Sequence, residues 1–126
     1  MSVYDTRFFF EYFYSSKKRV LEKTKAKLRK EKDRFISSIV IHEVYKLTLE
    51  REGLEIAELR ASVLEKDFKV VEVDSEIAKL SARIRHRYRI PMADSIIAAT
   101  AVKLNLPCIT DDEHISRVKE IRTRWV

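Results

Sequence analysis

The chain has 126 residues and a net charge of +6, with 26 Lys and Arg against 20 Asp and Glu. Its 45% hydrophobic content is too high for a disordered chain and its length suits one domain with a genuine core. No apolar run is long enough to cross a membrane, Met1–Asp5 lacks the pattern of a signal peptide, and the single Cys108 excludes an internal disulfide or a cysteine metal site, so a cytoplasmic protein is expected.

Ser2–Tyr4 is a short apolar lead into Asp5 and reads as a first strand. Phe8–Tyr14 is strongly aromatic and starts a buried helix, which continues through Lys17–Lys32 with a thin apolar stripe of Val20, Leu21, Thr24 and Leu28. A stripe that thin predicts a helix lying on the surface. Phe35–Ser38 reads as a second strand that ends in a Ser N-cap. The following helix, Ile39–Arg51, carries Val40, Val44 and Leu47 on one face, and Glu43 interrupts that stripe where an apolar residue is expected. Gly53 breaks the chain before a helix over Leu54–Lys66. Phe68–Val73 is β-branched and strand-like. Asp74 and Ser75 cap a helix that turns Ile77, Leu80, Ile84 and Tyr88 inward. Pro91 opens the next helix, which ends near Leu104 before Asn105 and Pro107. Leu106–Thr110 reads as a short buried strand, Glu113–Lys119 as a short helix, and Ile121–Val126 as a last strand. Short apolar strands alternating with helices predict an α/β domain: a parallel sheet of about four or five strands with helices on both faces.

Two features of composition stand out. Gln is absent and Gly53 is the only glycine, while 37% of residues are charged. Few amides and abundant Lys, Arg and Glu are expected of a thermophilic source. The charge is also lopsided. Ten basic residues against three acidic ones lie between Lys17 and Arg34, so nearly all the excess sits in one segment. Such a segment suits a polyanion such as RNA, or is simply a solvated helix face.

Four acids sit at the ends of apolar segments: Asp5, Glu43, Asp94 and Asp112. Asp94 is the most informative. It lies in Met92–Ala101, a helix apolar nearly all round, and no cation on that helix is spaced to pair with it. A carboxylate on a core-facing stripe is costly without a partner from elsewhere. Parallel sheets place their sites beyond the carboxyl ends of the strands, and all four acids belong near such ends. Carboxylates converging there repel one another unless a divalent cation lies between them, and oxygen donors suit Mg²⁺ or Mn²⁺. Each acid also has a plainer role. Asp5 can N-cap the helix after it, Asp112 with Asp111 can cap the next one in a capping box, Glu43 can pair with Lys46, and Asp94 can complement a helix dipole. Four plain roles meeting at one sheet edge is the less economical account. His42, His86 and His114 share no spacing that suggests a metal site. His42 and His86 read as surface or packing residues, and His114, beside Asp112, is left out of the site.

The motifs then acquire a family likeness. Val3-Tyr4-Asp5-Thr6 resembles the strand-Asp-Thr opening of PIN domains, and Ser37–Val44 resembles their Ser-rich turn followed by a helical Glu. Pro91–Ala101 is similar to their Asp-Ala-Ile-Ile-Ala-Ala-Thr-Ala block, and Ile109–His114 resembles their Thr-x-Asp block. Order and spacing agree over essentially the whole chain. The resemblance implies a PIN-like domain over residues 1–126. It also implies a VapC-type toxin, which is a Mg²⁺- or Mn²⁺-dependent endoribonuclease of a toxin–antitoxin pair. Its metal and catalytic residues would be Asp5, Glu43, Asp94 and Asp112, with Thr110 in support. A homodimer and a small antitoxin covering the active site are implied likewise. Arg7 departs from the family's usual Asn, Ile115 from its usual Phe, and Asp111 is an extra acid. A non-catalytic RNA- or protein-binding module on the same fold is the alternative, motivated by the basic segment and Arg7.

Overall fold

The computed structural model describes residues 1–126. In chain order the elements are β1 (Ser2–Tyr4), α1 (Thr6–Tyr14), α2 (Lys18–Lys30), β2 (Arg34–Ser37), α3 (Ser38–Glu52) and α4 (Leu54–Asp67). Then come β3 (Lys69–Val71), α5 (Ser75–Tyr88), α6 (Met92–Leu104), β4 (Cys108–Ile109), α7 (Glu113–Ser116) and β5 (Thr123–Arg124). The five strands form one parallel sheet in the order β3-β2-β1-β4-β5, flanked by the seven helices. From β1 the chain steps outwards to β2 and β3, then returns to lay β4 on the other side of β1. The strand order therefore reverses between β1 and β4, and their carboxyl ends border one crevice.

Local chemistry explains the boundaries. Ser37 accepts the Ile39 N–H and starts α3, and Asp74 accepts the Ile77 N–H and starts α5. Asn105 takes the left-handed conformation (φ 53°, ψ 47°) that closes α6. Gly53, at φ 91°, separates α3 from α4 in a conformation that side chains disfavour.

α6 is the central helix, with every residue from Ser95 to Ala101 buried. Its alanines permit close packing, and Thr100 disposes of its hydroxyl by donating to the Ile96 carbonyl at 2.8 Å. Tyr4, Phe8, Phe9 and Phe68 form an edge-to-face aromatic cluster that fixes α1 on the sheet, with ring centroids 4.8 to 5.5 Å apart in successive pairs. At the other end of β1, Glu31 accepts from Ser2 Oγ at 2.8 Å and from the Tyr4 hydroxyl at 2.6 Å.

Two strands are shorter than expected, Phe68–Val73 contracting to Lys69–Val71 and Leu106–Thr110 to Cys108–Ile109, and the structure differs from expectation in three further places. Helix does not run on from Tyr14 to Lys17. Ser15 Oγ accepts the Lys17 N–H at 3.2 Å, and this local bond supports the break between α1 and α2. α7 stops at Ser116, because the Arg117 and Val118 N–H groups bond three residues back and tighten the turn. The last strand is only Thr123–Arg124, since β4 offers two residues to pair with.

Candidate metal centre

The crevice between β1 and β4 is where sequence-predicted acids collect. Asp5 leaves the end of β1 and is 2% exposed. Its Oδ1 accepts the Thr6 N–H at 2.7 Å and its Oδ2 accepts the Thr110 hydroxyl at 2.6 Å. Thr110, just past β4, in turn accepts the Asp112 N–H on its Oγ1 at 2.9 Å. One threonine thus joins the acid after β1 to the acid after β4. Asp112 caps α7, with Oδ1 accepting from the His114 and Ile115 N–H groups at 2.7 and 3.2 Å. Glu43, one turn into α3, accepts the Thr6 hydroxyl on Oε1 at 2.6 Å. Asp94 lies in the first turn of α6.

The capping roles foreseen for Asp5 and Asp112 are therefore present, and each uses only part of the carboxylate. An ionised carboxylate has about four lone-pair sites, so a cap and a cation are compatible. The plain role foreseen for Glu43 is absent, because Lys46 pairs with Glu50 at 2.6 Å. Asp111 is turned outward to Arg7.

The tightest group is Asp94, Asp112 and His114, whose ligand-type atoms all lie within 4.8 Å of one another. Asp5 and Glu43 stand outside that group and border it. Asp94 and Asp112 both raise the Asp5 pKa, and Glu43 raises that of Asp94. His114 was not among the predicted site residues. Its Nδ1 lies 3.3 Å from Asp94 Oδ2 and 3.4 Å from Asp112 Oδ1. The available signal was its position two residues after an acid that caps a one-turn helix, where a side chain can turn back beside the cap.

Burial and mutual repulsion set the electrostatics. Asp5 is pushed up to about 7, first by burial and then by Asp94 and Asp112, against the hydrogen bonds from Thr110 and Thr6. Asp94 is pushed up to about 6 by burial, Asp112 and Glu43, with His114 opposing. Cys108, wholly buried beneath this group, is held well above the ordinary thiol range by burial and the same acids. No lysine or arginine pairs with any of the four acids; the only cationisable partner is His114. A converging set of oxygen donors, costly to ionise together and lacking a cationic side chain, fits a divalent cation.

A five-stranded parallel α/β sheet with a carboxylate cluster at its topological switch point defines a domain built around an acidic, cation-compatible crevice. The PIN domain family model matches residues 2–121, and the chain belongs to the PIN domain family. No curated protein matches the sequence. Solved structures share the fold. A toxin–antitoxin complex from Klebsiella pneumoniae is similar over 96% of this chain and 95% of its own, at 22% identity and a TM-score of 0.76. FitAcB from Neisseria gonorrhoeae is similar over 98% and 96%, at 23% identity and 0.77. VapC20 from Mycobacterium tuberculosis, described as a sarcin–ricin loop cleaving toxin, is similar over 97% and 99%, at 18% identity and 0.78.

Proposed function

We propose that this protein is a divalent-cation-dependent endoribonuclease, the VapC-type toxin of a toxin–antitoxin pair. The observation that carries the reading is the convergence of Asp5, Glu43, Asp94 and Asp112 on the β1–β4 crevice of a PIN domain. Several of its structural relatives are themselves toxins or toxin–antitoxin complexes, which supports a small antitoxin as partner. A homodimer in the cytoplasm completes the proposal.

The four acids would hold one or two Mg²⁺ or Mn²⁺ ions. When bound, such an ion neutralises phosphodiester charge and makes a water more acidic, and hence a usable nucleophile near neutral pH. The chain's own residues do the positioning. Thr110 and the Thr6 N–H hold Asp5 by both oxygens, Thr6 Oγ1 holds Glu43, and the start of α7 holds Asp112. Fixed in this way, the carboxylates need little reorganisation to meet a cation.

Substrate affinity would come from basic and aromatic side chains. A cleft of about 640 Å³ beside the crevice is lined by Phe10, Tyr14, Lys17, Arg51 and Trp125 among others, with Arg7 held there by Glu11 and Asp111. Cations hold phosphates and aromatic rings stack on bases, so this lining suits single-stranded RNA. The basic residues of α2, of which Lys18, Arg19, Lys23, Lys25, Arg29 and Lys30 are exposed, extend the positive surface.

The test is cleavage of a mixed RNA pool with Mg²⁺ or Mn²⁺, with EDTA, and with Asp94→Asn. Metal-dependent cutting that is lost in both controls is expected. If folded, antitoxin-free protein binds RNA in a salt-sensitive, metal-independent way and cuts nothing, the basic surface marks a non-catalytic binding module instead.

A further inference from the structure

We propose that His114 is a nitrogen ligand of the cation site, and that it biases the site towards first-row transition dications, Mn²⁺ to Ni²⁺, over Mg²⁺. The inference rests on the cation-site reading above and narrows it to a class of metal.

Position is the first argument. His114 Nδ1 lies almost equally far from Asp94 Oδ2, on α6, and Asp112 Oδ1, at the head of α7. A single ring N–H can point well at only one acceptor. Asp112 Oδ1 already accepts two backbone N–H groups, so little of its capacity remains for a third donor. A cation among the three side chains satisfies the ring nitrogen, Asp94 and the uncommitted Oδ2 of Asp112 together.

Spacing is the second. Ligands about 2.1 Å from one ion stand about 3.0 Å apart when adjacent in an octahedron and about 4.2 Å apart when opposite. The 3.3 Å between His114 Nδ1 and Asp94 Oδ2 is near the adjacent value, and the whole group lies within 4.8 Å. Small side-chain adjustments therefore suffice.

Chemistry is the third. Mg²⁺ takes oxygen donors and keeps most of its waters, whereas imidazole favours the later first-row ions, with affinity rising from Mn²⁺ through Co²⁺ to Ni²⁺. Replacing one oxygen by the His114 nitrogen steepens that order. The side chain is also accessible, at 37% exposed, so an incoming ion reaches it and its removal leaves no core cavity.

The test uses the untagged full chain, stripped of metal. Calorimetric titration with Mg²⁺, Mn²⁺, Co²⁺ and Ni²⁺ is compared between wild type and His114→Ala, both checked for fold by circular dichroism. The Ni²⁺-to-Mg²⁺ preference is expected to fall about tenfold or more in the variant, on the scale seen when the surroundings of a metal ligand are altered. Pulsed electron paramagnetic resonance of the Mn²⁺-loaded wild type is expected to show ¹⁴N modulation that the variant lacks. Metal binding with an unchanged preference and no ¹⁴N signal overturns the inference alone, leaving His114 as a partner of Asp94. Absence of binding by every ion overturns the cation-site reading as well.

Discussion

Arg7 and Asp111 lie 104 positions apart in the chain and form a two-point ion pair, with Nε 3.1 Å from Oδ1 and Nη2 3.3 Å from Oδ2. Both are departures from the family pattern, and the structure pairs one with the other. Arg7 also reaches Glu11 at 3.3 Å, one turn along α1. The extra acid beside Asp112 is thereby drawn out of the crevice, and its charge is met at the rim.

Asp111→Asn is therefore expected to leave divalent-cation binding within about twofold of wild type, while Asp112→Asn weakens it at least tenfold, on the scale of lost site contacts. Calorimetry on both variants decides between the two acids. Both Arg7 and Asp111 are more than a third exposed, so a double-mutant cycle should give a coupling of only about 0.2–1 kcal/mol.

Asp94→Asn should trade function against stability. It removes a carboxylate that burial and its neighbours disfavour, so the metal-free variant should melt higher than metal-free wild type above pH 7. The same variant should lose RNA cleavage. A lower melting temperature in the variant would mean that the Asp94–His114 pairing outweighs the repulsion.

The raised acids predict a pH dependence of the metal-free protein. Asp5 and Asp94 titrate at about 7 and about 6, against 3.8 ordinarily. The folded state therefore holds their protons more tightly than the unfolded state. Their contribution to stability is full below about pH 4 and is lost as pH rises through 6 to 7. Other carboxylates titrate as well, so the comparison is with Asp94→Asn, whose stability should fall less between pH 5 and 8. Saturating Mn²⁺ should abolish the difference in slope, because metal binding displaces the protons.

Thr110→Val keeps the shape and removes the hydroxyl that donates to Asp5 and accepts from Asp112. Asp5 loses a hydrogen bond that lowers its pKa, so the acid limb of the pH–rate profile should move to higher pH. Divalent-cation affinity should fall about 10–100-fold, as for other residues that orient metal ligands. Thr110→Ser should restore both, and failure of that rescue would show that the hydroxyl is not what matters.

The aromatic cluster carries a fold prediction. Phe9 is 1% exposed and its ring meets Phe8 and Phe68 edge to face. Phe9→Ala should cost about 3–5 kcal/mol in denaturant unfolding, because the surrounding rings cannot collapse into the space.

Much of this molecule was written locally, and local features are what a sequence displays. Strand β1 ending at Asp5, the Ser37 cap before α3, the all-round apolar Asp94 helix closed by Asn105, and the alternation that demands a parallel sheet all follow from neighbours within a few residues. Asp5, Glu43, Asp94 and Asp112 stood out because each lies within or at the end of an apolar segment, and the PIN resemblance grouped them. What tertiary structure alone decided is who meets whom across long separations. The strand order that reverses between β1 and β4 brings Thr110 onto Asp5, and the angle of α7 lays His114 between Asp94 and Asp112. Arg7 finds Asp111 by the same route. Such partnerships depend on where whole elements pack against one another, and burial of the shared core, not any short-range pattern, fixes that.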